Sequence, residues 1–444
     1  MRPHMAESGT QRLGDTDISR LSVCAVDGIA AIQRFSTEID RLNLASARPN
    51  PFLSSAFLLC YASHIDYHTP GEGERLFLIR DGDEIIGCAP MRERGGRFRL
   101  LAPLDTDRPG TLSSPQDALR AATALVRHLC DHETGWGMVE FFGQQRGNAL
   151  HRASHAAAGA RFRARDIELQ PYNEIPLAYD NLAAYYQSLS SKMRSNIGRQ
   201  TRRLFSNDAP ELILADGPQA TSAWFDAYCD LDDRSWKRGT DASIQRHARR
   251  VRFYQEIAAA RAGLDPSFIG VVFDGVLIAG LLVGSNATAS PGFHGAWCLE
   301  MAYDQSRAEL GPGQLLLLLA VGEAISRGDQ LLNFMQNFAY YKHRWKAEPI
   351  EAVSVQLIRR ASLHNVRASL GELKQRWVAK PGKPSTDPSD HHDATQAAVN
   401  RAIAAPQVQE RARSLAAAAL GFAGSGVRRL DRAQARAYLP FDLG

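Results

Sequence analysis

Three stretches of this 444-residue chain hold residues whose types and spacing could do chemistry. The first runs Arg307-Ala308-Glu309-Leu310-Gly311-Pro312-Gly313-Gln314 into the apolar run LLLLLAVGEAISRG. A turn of this kind opening a helix offers outward-pointing backbone N–H groups and the positive end of the helix dipole, which suits a pyrophosphate. Gly311 and Gly313 keep side chains off the approach, Pro312 tightens the entry, and Arg307 could add charge. The plainer reading is a glycine-capped turn before a core helix. The second stretch carries Lys192, Arg194, Arg199, Arg202 and Arg203 with no acid between them. Lys192, Arg199 and Arg203 fall near one helical face, and Arg246, Arg249, Arg250 and Arg252 form a second basic group. Such runs are usually solvated helix faces; turned toward a cleft they suit a polyphosphate. The third is Tyr340-Tyr341-Lys342-His343, directly after LLNFM and its short continuation. His343 and His294 are candidate bases on intrinsic pKa, and Tyr340 and Tyr341 are candidates for packing or proton donation. No metal-ligand set is apparent, since the adjacent His391 and His392 sit in a proline-rich polar stretch.

These stretches need elements to position them. Asn50-Pro51-Phe52 followed by LSSAFLLCYASHI reads as a capped helix start, with Ser54 or Ser55 as the cap. RLFLIRDGDEIIGCAPMRER predicts a β-hairpin over 75–94 turning at Asp81-Gly82-Asp83. QDALRAATALVRHLCDH then predicts a helix, and MVEFF a strand. The second half repeats this plan. LAAYYQSLSSKMRSNIGRQTRRLF reads as one or two helices, and SAWFDAYCDLDDRSWKR and RVRFYQEIAAARA as two more. FIGVVFDGVLIAGLLVGSN is again a hairpin, at Asp274-Gly275, followed by the strand GFHGAWCLEMAYD. The GPG turn and its helix come next, ending near Gly328, then strands at LLNFM and EAVSVQLIRR. The expected fold is α/β, two tandem domains each with a mixed, partly antiparallel sheet flanked by helices. The likeness of the halves suggests duplication.

The length exceeds one ordinary core. The expected division is a polar, disordered N-terminus over 1–20, domains over 21–178 and 179–378, a linker over 379–395 and an alanine-rich helical tail over 396–444. A hydrophobic fraction of 44% and a charged fraction of 23% are those of a globular protein. The six cysteines form no CxxC pair and read as buried thiols in a reducing compartment. With no long apolar run and no signal-peptide core, the expectation is a cytoplasmic protein away from the membrane. A formal net charge of +4 does not by itself mark a nucleic-acid binder, and no recognised RNA-binding module accompanies the arginines.

Three segments resemble the two-domain branch of the GNAT acyltransferase superfamily, which includes cellulose-biosynthesis-type acetyltransferase-like proteins and FemABX peptidyltransferases. Ser191-Lys192-Met193-Arg194-Ser195-Asn196-Ile197 is similar to the Lys-x-Arg-x-Asn-Ile element of Fem proteins. Gly311-Pro312-Gly313-Gln314-Leu315-Leu316 is similar to the Pro-Gly turn and helix of the acetyltransferase-like branch. Asn333-Phe334-Met335 running to Tyr340-Tyr341-Lys342 is similar to that group's strand and aromatic-Lys pair. The resemblance covers about 50–375. It implies an acyltransferase that makes an amide bond directly, with catalysis in the second domain. Lys342 would stabilise charge at the transferred carbonyl, beside Tyr341, Tyr340 and His294. Arg307, Gly311, Pro312, Gly313 and Gln314 would hold the donor, and Lys192, Arg194, Asn196, Arg199, Trp297 and Glu300 phosphate or acceptor. The co-substrate is acyl-CoA, with no tightly bound cofactor and a small-molecule amine or sugar as acceptor; the alternative donor is aminoacyl-tRNA. A non-catalytic binding scaffold is the third reading. The first domain, with the polar segment LLAPLDTDRPGTLSS in place of a GPG turn, is expected to shape an acceptor cleft between the domains.

Overall fold

The computed structural model describes residues 18–64, 73–101, 106–207, 210–286, 292–336, 340–369, 406–422 and 426–443. The first half contains strand β1 (Leu21–Asp27), helices α1 (Ile29–Arg34), α2 (Ser36–Leu44) and α3 (Ser55–His64), and strands β2 (Glu74–Asp81), β3 (Glu84–Arg94), β4 (Arg97–Leu100) and β5 (Leu112–Ser113). Helix α4 (Ala118–Asp131), strand β6 (Met138–Gln144), helix α5 (Ala149–Ala156) and strands β7 (Phe162–Glu168) and β8 (Tyr172–Pro176) follow. The second half opens with α6 (Leu182–Ser188), α7 (Ser191–Asn207), β9 (Glu211–Asp216), α8 (Pro218–Arg234) and α9 (Ala248–Ala258). It continues through β10 (Asp265–Phe273), β11 (Val276–Ser285), β12 (Gly295–Tyr303), α10 (Pro312–Arg327) and β13 (Leu331–Gln336). The last elements are α11 (Tyr340–Arg344), β14 (Glu348–Ile350), β15 (Val353–Arg359), α12 (Pro406–Leu420), β16 (Val427–Leu430) and α13 (Arg432–Tyr438).

Both hairpins turn where the Asp-Gly pairs predict, Gly82 and Gly275 taking φ of 60° and 70° that a side chain would disfavour. Each half builds an eight-stranded mixed sheet on one plan. An antiparallel run, β1-β2-β3-β4 or β9-β10-β11-β12, is followed by a parallel step made by only three residue pairs. The chain makes each parallel step through a helix, α4 in the first sheet and α10 in the second. An antiparallel partner then follows in each sheet, with one more strand beyond it at the edge.

That antiparallel partner comes from the other half of the sequence. β8 lies inside the range expected for the first domain, yet it pairs with β13 and β14 of the second sheet. β15 lies inside the range expected for the second domain, yet it sits between β6 and β7 of the first. Its first six residues, Val353–Ile358, are buried, as suits a strand inside a sheet that is covered on both faces. The boundary at 178 therefore does not separate two self-contained sheets.

The tail also departs from a helical appendage. α12 packs on α8, and β16 pairs with β9 to cover an otherwise open sheet edge. Of the N-terminus expected to be disordered over 1–20, residues 1–17 lie outside the described residues, as does the linker 379–395, while Ile18 is buried against the first sheet.

The halves share an apolar core. α3 packs against α9, with Phe57 and Tyr61 edge-on to Phe253 at 5.6 and 5.9 Å between ring centres. Phe52, just before α3, is edge-on to Trp297 of β12 at 5.6 Å. Burying such rings contributes about 1.5–3 kcal/mol each, so the interface is an integral part of the fold. Of the cysteines, Cys60, Cys88, Cys130 and Cys229 are buried as expected, whereas Cys24 is exposed and Cys298 half-buried. Among the described residues no helix is long and apolar enough to cross a membrane.

Candidate functional site

The second sheet opens where β12 and β13 part. They pair at Gly295↔Leu331, Ala296↔Leu332 and Trp297↔Asn333, and then the ladder stops while both strands run on. Both are deformed at that point. β12 shifts register between Cys298 and Glu300, leaving Leu299 as an extra residue, and Met335 of β13 has φ of 58°. A left-handed methionine costs about 1–3 kcal/mol unless its surroundings enforce it. Here they do: the Asn333 side chain accepts a hydrogen bond from the Met335 N–H at 2.6 Å, while its amide donates to Glu174 at 3.0 Å.

Lys342 occupies this parting. Only 1% exposed, it donates from Nζ to the carbonyls of Phe334 at 2.7 Å and Met335 at 3.4 Å. Burial pushes its pKa down to about 8, with the Cys298 sulfur across the gap pulling weakly the other way. The Cys298 thiol is itself driven up to about 12 by burial, against the charges of Lys342 and Arg327. A lysine with a pKa near 8 is still cationic at neutral pH, so the parting holds a buried positive charge. The backbone of Tyr340 and Tyr341 starts α11, but their side chains lie outside the described residues.

The Gly311–Gln314 turn follows the C-terminal end of β12, the end that has parted from β13. Gly311 adopts φ of 62° and Pro312 takes the first helical position, as the sequence suggests. A Cβ on Gly311 would stand 2.3 Å from the Gln200 side-chain oxygen, so α7 and not open solvent presses on this glycine. Asn196 donates to the Gln314 side-chain oxygen at 3.2 Å and Arg199 donates to Asn196 at 3.0 Å. The fold thus joins the turn to the basic face of α7, where Lys192, Arg199 and Arg203 are exposed. A Cβ on Gly313 would meet only the Tyr303 ring, at 3.3 Å.

Four of the expected site residues are engaged elsewhere. Arg307 turns away from the helix mouth, reaching Asp274 at 3.7 Å and lying over the Phe273 ring. Arg194 donates to the carbonyls of Gln187 and Leu189, satisfying the C-terminal end of α6. Glu300 is buried in an ion cluster with Lys237 and with Arg250, the latter at 2.9 Å. His294 precedes the closed end of the parallel pair, four residues before Cys298 and so about 13 Å along the strand from the parting.

Sequence reasoning missed the polar knot joining the domains beside the parting. Glu174 of β8 receives a bidentate pair from Arg48, and further bonds from Arg108 and Asn333. Asp107 holds Arg108 and accepts the Trp297 indole N–H at 2.9 Å. Nothing local marks Glu174 or Arg48 as partners, since 126 residues separate them. Next to the knot, a cavity of about 300 Å³ is lined by Arg48, Asn50, Arg108, Gln144 and Gln145, with Trp297 from the second half.

Residues 191–343 match the family described as acetyltransferase (GNAT) domain. No curated protein matches the chain. Among solved structures, FemX aligns over 72% of this chain and 95% of its own at 10% identity, with a TM-score of 0.50. A tandem GNAT protein from the clavulanic acid biosynthesis pathway aligns over 77% and 99% at 13% identity, TM-score 0.45. L-PGS from Bacillus licheniformis aligns over 78% and 98% at 12% identity, TM-score 0.47. The second half of the chain thus holds a GNAT-type acetyltransferase domain over 191–343, and the same sheet plan recurs in the first half.

Proposed function

We propose that the second half transfers an acyl group from acyl-CoA to a primary amine of a small molecule or sugar, forming an amide. The observation that carries this reading is the junction of the Gly311–Gln314 turn with the basic face of α7, beyond the end of β12 that has parted from β13, with Lys342 set in that parting. In the proposed complex, the pyrophosphate rests on the first turn of α10 with Arg199 and Arg203 beside it, and the thioester carbonyl faces Lys342. The neutral amine attacks the carbonyl carbon and the C–N bond forms. The Lys342 ammonium stabilises the oxyanion, the C–S bond breaks, and the proton lost by nitrogen ends on the released thiol. The acceptor enters through the cavity between the halves, where Arg48, Asn50 and Gln145 offer polar contacts.

A second donor, aminoacyl-tRNA, is favoured by two features. Lys342 stands buried at the end of β13, where the Fem resemblance puts its charge-stabilising lysine, and the exposed α7 arginines suit a nucleic-acid phosphate as well as they suit CoA. Calorimetric titration with acetyl-CoA and free CoA, beside a binding assay with mixed aminoacyl-tRNA, separates the two. Saturable CoA binding that Gly311→Glu abolishes is the expected result. Binding of tRNA alone, with activity lost on ribonuclease digestion, would replace the donor, and absence of both interactions would leave a scaffold without turnover.

A further inference from the structure

α5 in the first half carries His151 and His155, one helical turn apart on the same face, with ring centres 4.5 Å from each other. Both present Nε2 to one carboxylate, Asp166 of β7: His151 to Oδ2 at 3.1 Å and His155 to Oδ1 at 2.9 Å. One donor atom from each of the three side chains lies within 4.8 Å of the others. Asp166 is mostly buried and pairs in register with Val355, so β15 fixes its position from below, while the Asn148 side chain caps α5 by accepting the His151 N–H at 2.9 Å. The three donors therefore come from two braced elements.

We propose that His151, His155 and Asp166 form a binding site for a divalent transition metal of the zinc class. Two imidazoles at helical i and i+4 with one carboxylate are the ligand types and count that zinc takes, leaving one tetrahedral position for water. Metal bonds of about 2.0–2.2 Å at tetrahedral angles place donors roughly 3.3 Å apart, close to the His–Asp separations already present. Binding thus needs little more than a small approach of the two rings. Arg146 competes, since it donates to Asp166 at 2.6 Å, but it also pairs with Glu168, two residues along the same strand face, and retains that partner when a cation displaces it. The site is half-open, His155 being the most exposed of the three, so a metal can enter without unfolding. Its place gives it a consequence: the first turn of α5, with Asn148, Ala149 and Leu150, lines the cavity between the halves. A metal joining the next turn of that helix to β7 would stiffen this wall.

The test uses the full-length chain, stripped with a chelator and titrated with zinc. The expected result is one equivalent bound, a rise in the thermal midpoint with zinc, and weakening by at least about tenfold in His151→Ala, His155→Ala and Asp166→Asn. Cobalt substitution reads the ligands without any variant, and visible ligand-field bands of a tetrahedral nitrogen-oxygen site are expected. No stoichiometric binding, or binding and bands undiminished in the double variant His151→Ala/His155→Ala, would overturn the proposal.

Discussion

The two sheets share a plan but differ at the place where each opens. In the first, the mouth beyond β4 and β6 is a cavity of about 300 Å³ bordered by the polar loop before α4. In the second, the gap beyond β12 and β13 receives a buried lysine, and the helix mouth is braced by Gln200 and flanked by exposed arginines. One copy of the plan has kept room, and the other has charge. On the function proposed above, the doubled fold would divide one reaction, with the acceptor held by the roomy copy and the donor by the charged one.

The sharpest way to break this comparison is Lys342→Ala, expected to lower kcat by about 10²–10³ while donor binding persists. An unchanged kcat would remove chemistry from the second opening. The pH profile comes next in size. If the protonated lysine is the working form, activity is level near pH 7 and falls through the pKa of about 8, with roughly a tenfold loss by pH 9. Stability carries the opposite sign. Between about 8 and the ordinary lysine value of 10.5 the unfolded chain holds a proton that the native state has lost, so this residue's contribution to stability rises with pH there. Denaturant titrations across that window check the direction. Arg199→Ala with Arg203→Ala is expected to weaken the phosphate-bearing donor by about tenfold and to flatten the salt dependence of its binding. Smallest is Gln145→Ala, an exposed residue at the rim of the first opening, expected to raise the acceptor KM about twofold to threefold with donor affinity unchanged. If donor affinity moved instead, the division between the openings would be wrong.

Elements fixed by local chemistry were legible before the fold was known. Asp81-Gly82 and Asp274-Gly275 announce their hairpins, and Gly311-Pro312 and Gly328 bound α10, because each depends on backbone preferences within a few residues. What depends on partners far along the chain was not. EAVSVQLIRR reads correctly as a strand, but its alternation cannot say which sheet it enters. Arg307 and Arg194 look like free cations in sequence, and only the fold shows Asp274 beneath one and the end of α6 beneath the other. Met335 gave no sign of its left-handed backbone, being neither glycine nor asparagine. The His151 and His155 spacing was visible on a helical stretch and passed over, since the third member, Asp166, joins only through a β7 that the sequence reading did not place.

The exchange of β8 and β15 sets a timetable during synthesis. β6 and β7 are made early, yet the strand that joins them is made about 180 residues later, on the order of 10 to 40 s at ordinary elongation rates. Throughout that interval the nascent first half presents unpaired strand edges, the kind of surface that neighbouring chains on a polysome can zip onto. Only when β15 emerges can the sheet close, and by then β8 has its own partners β13 and β14 available, so both halves reach their final pairing almost together.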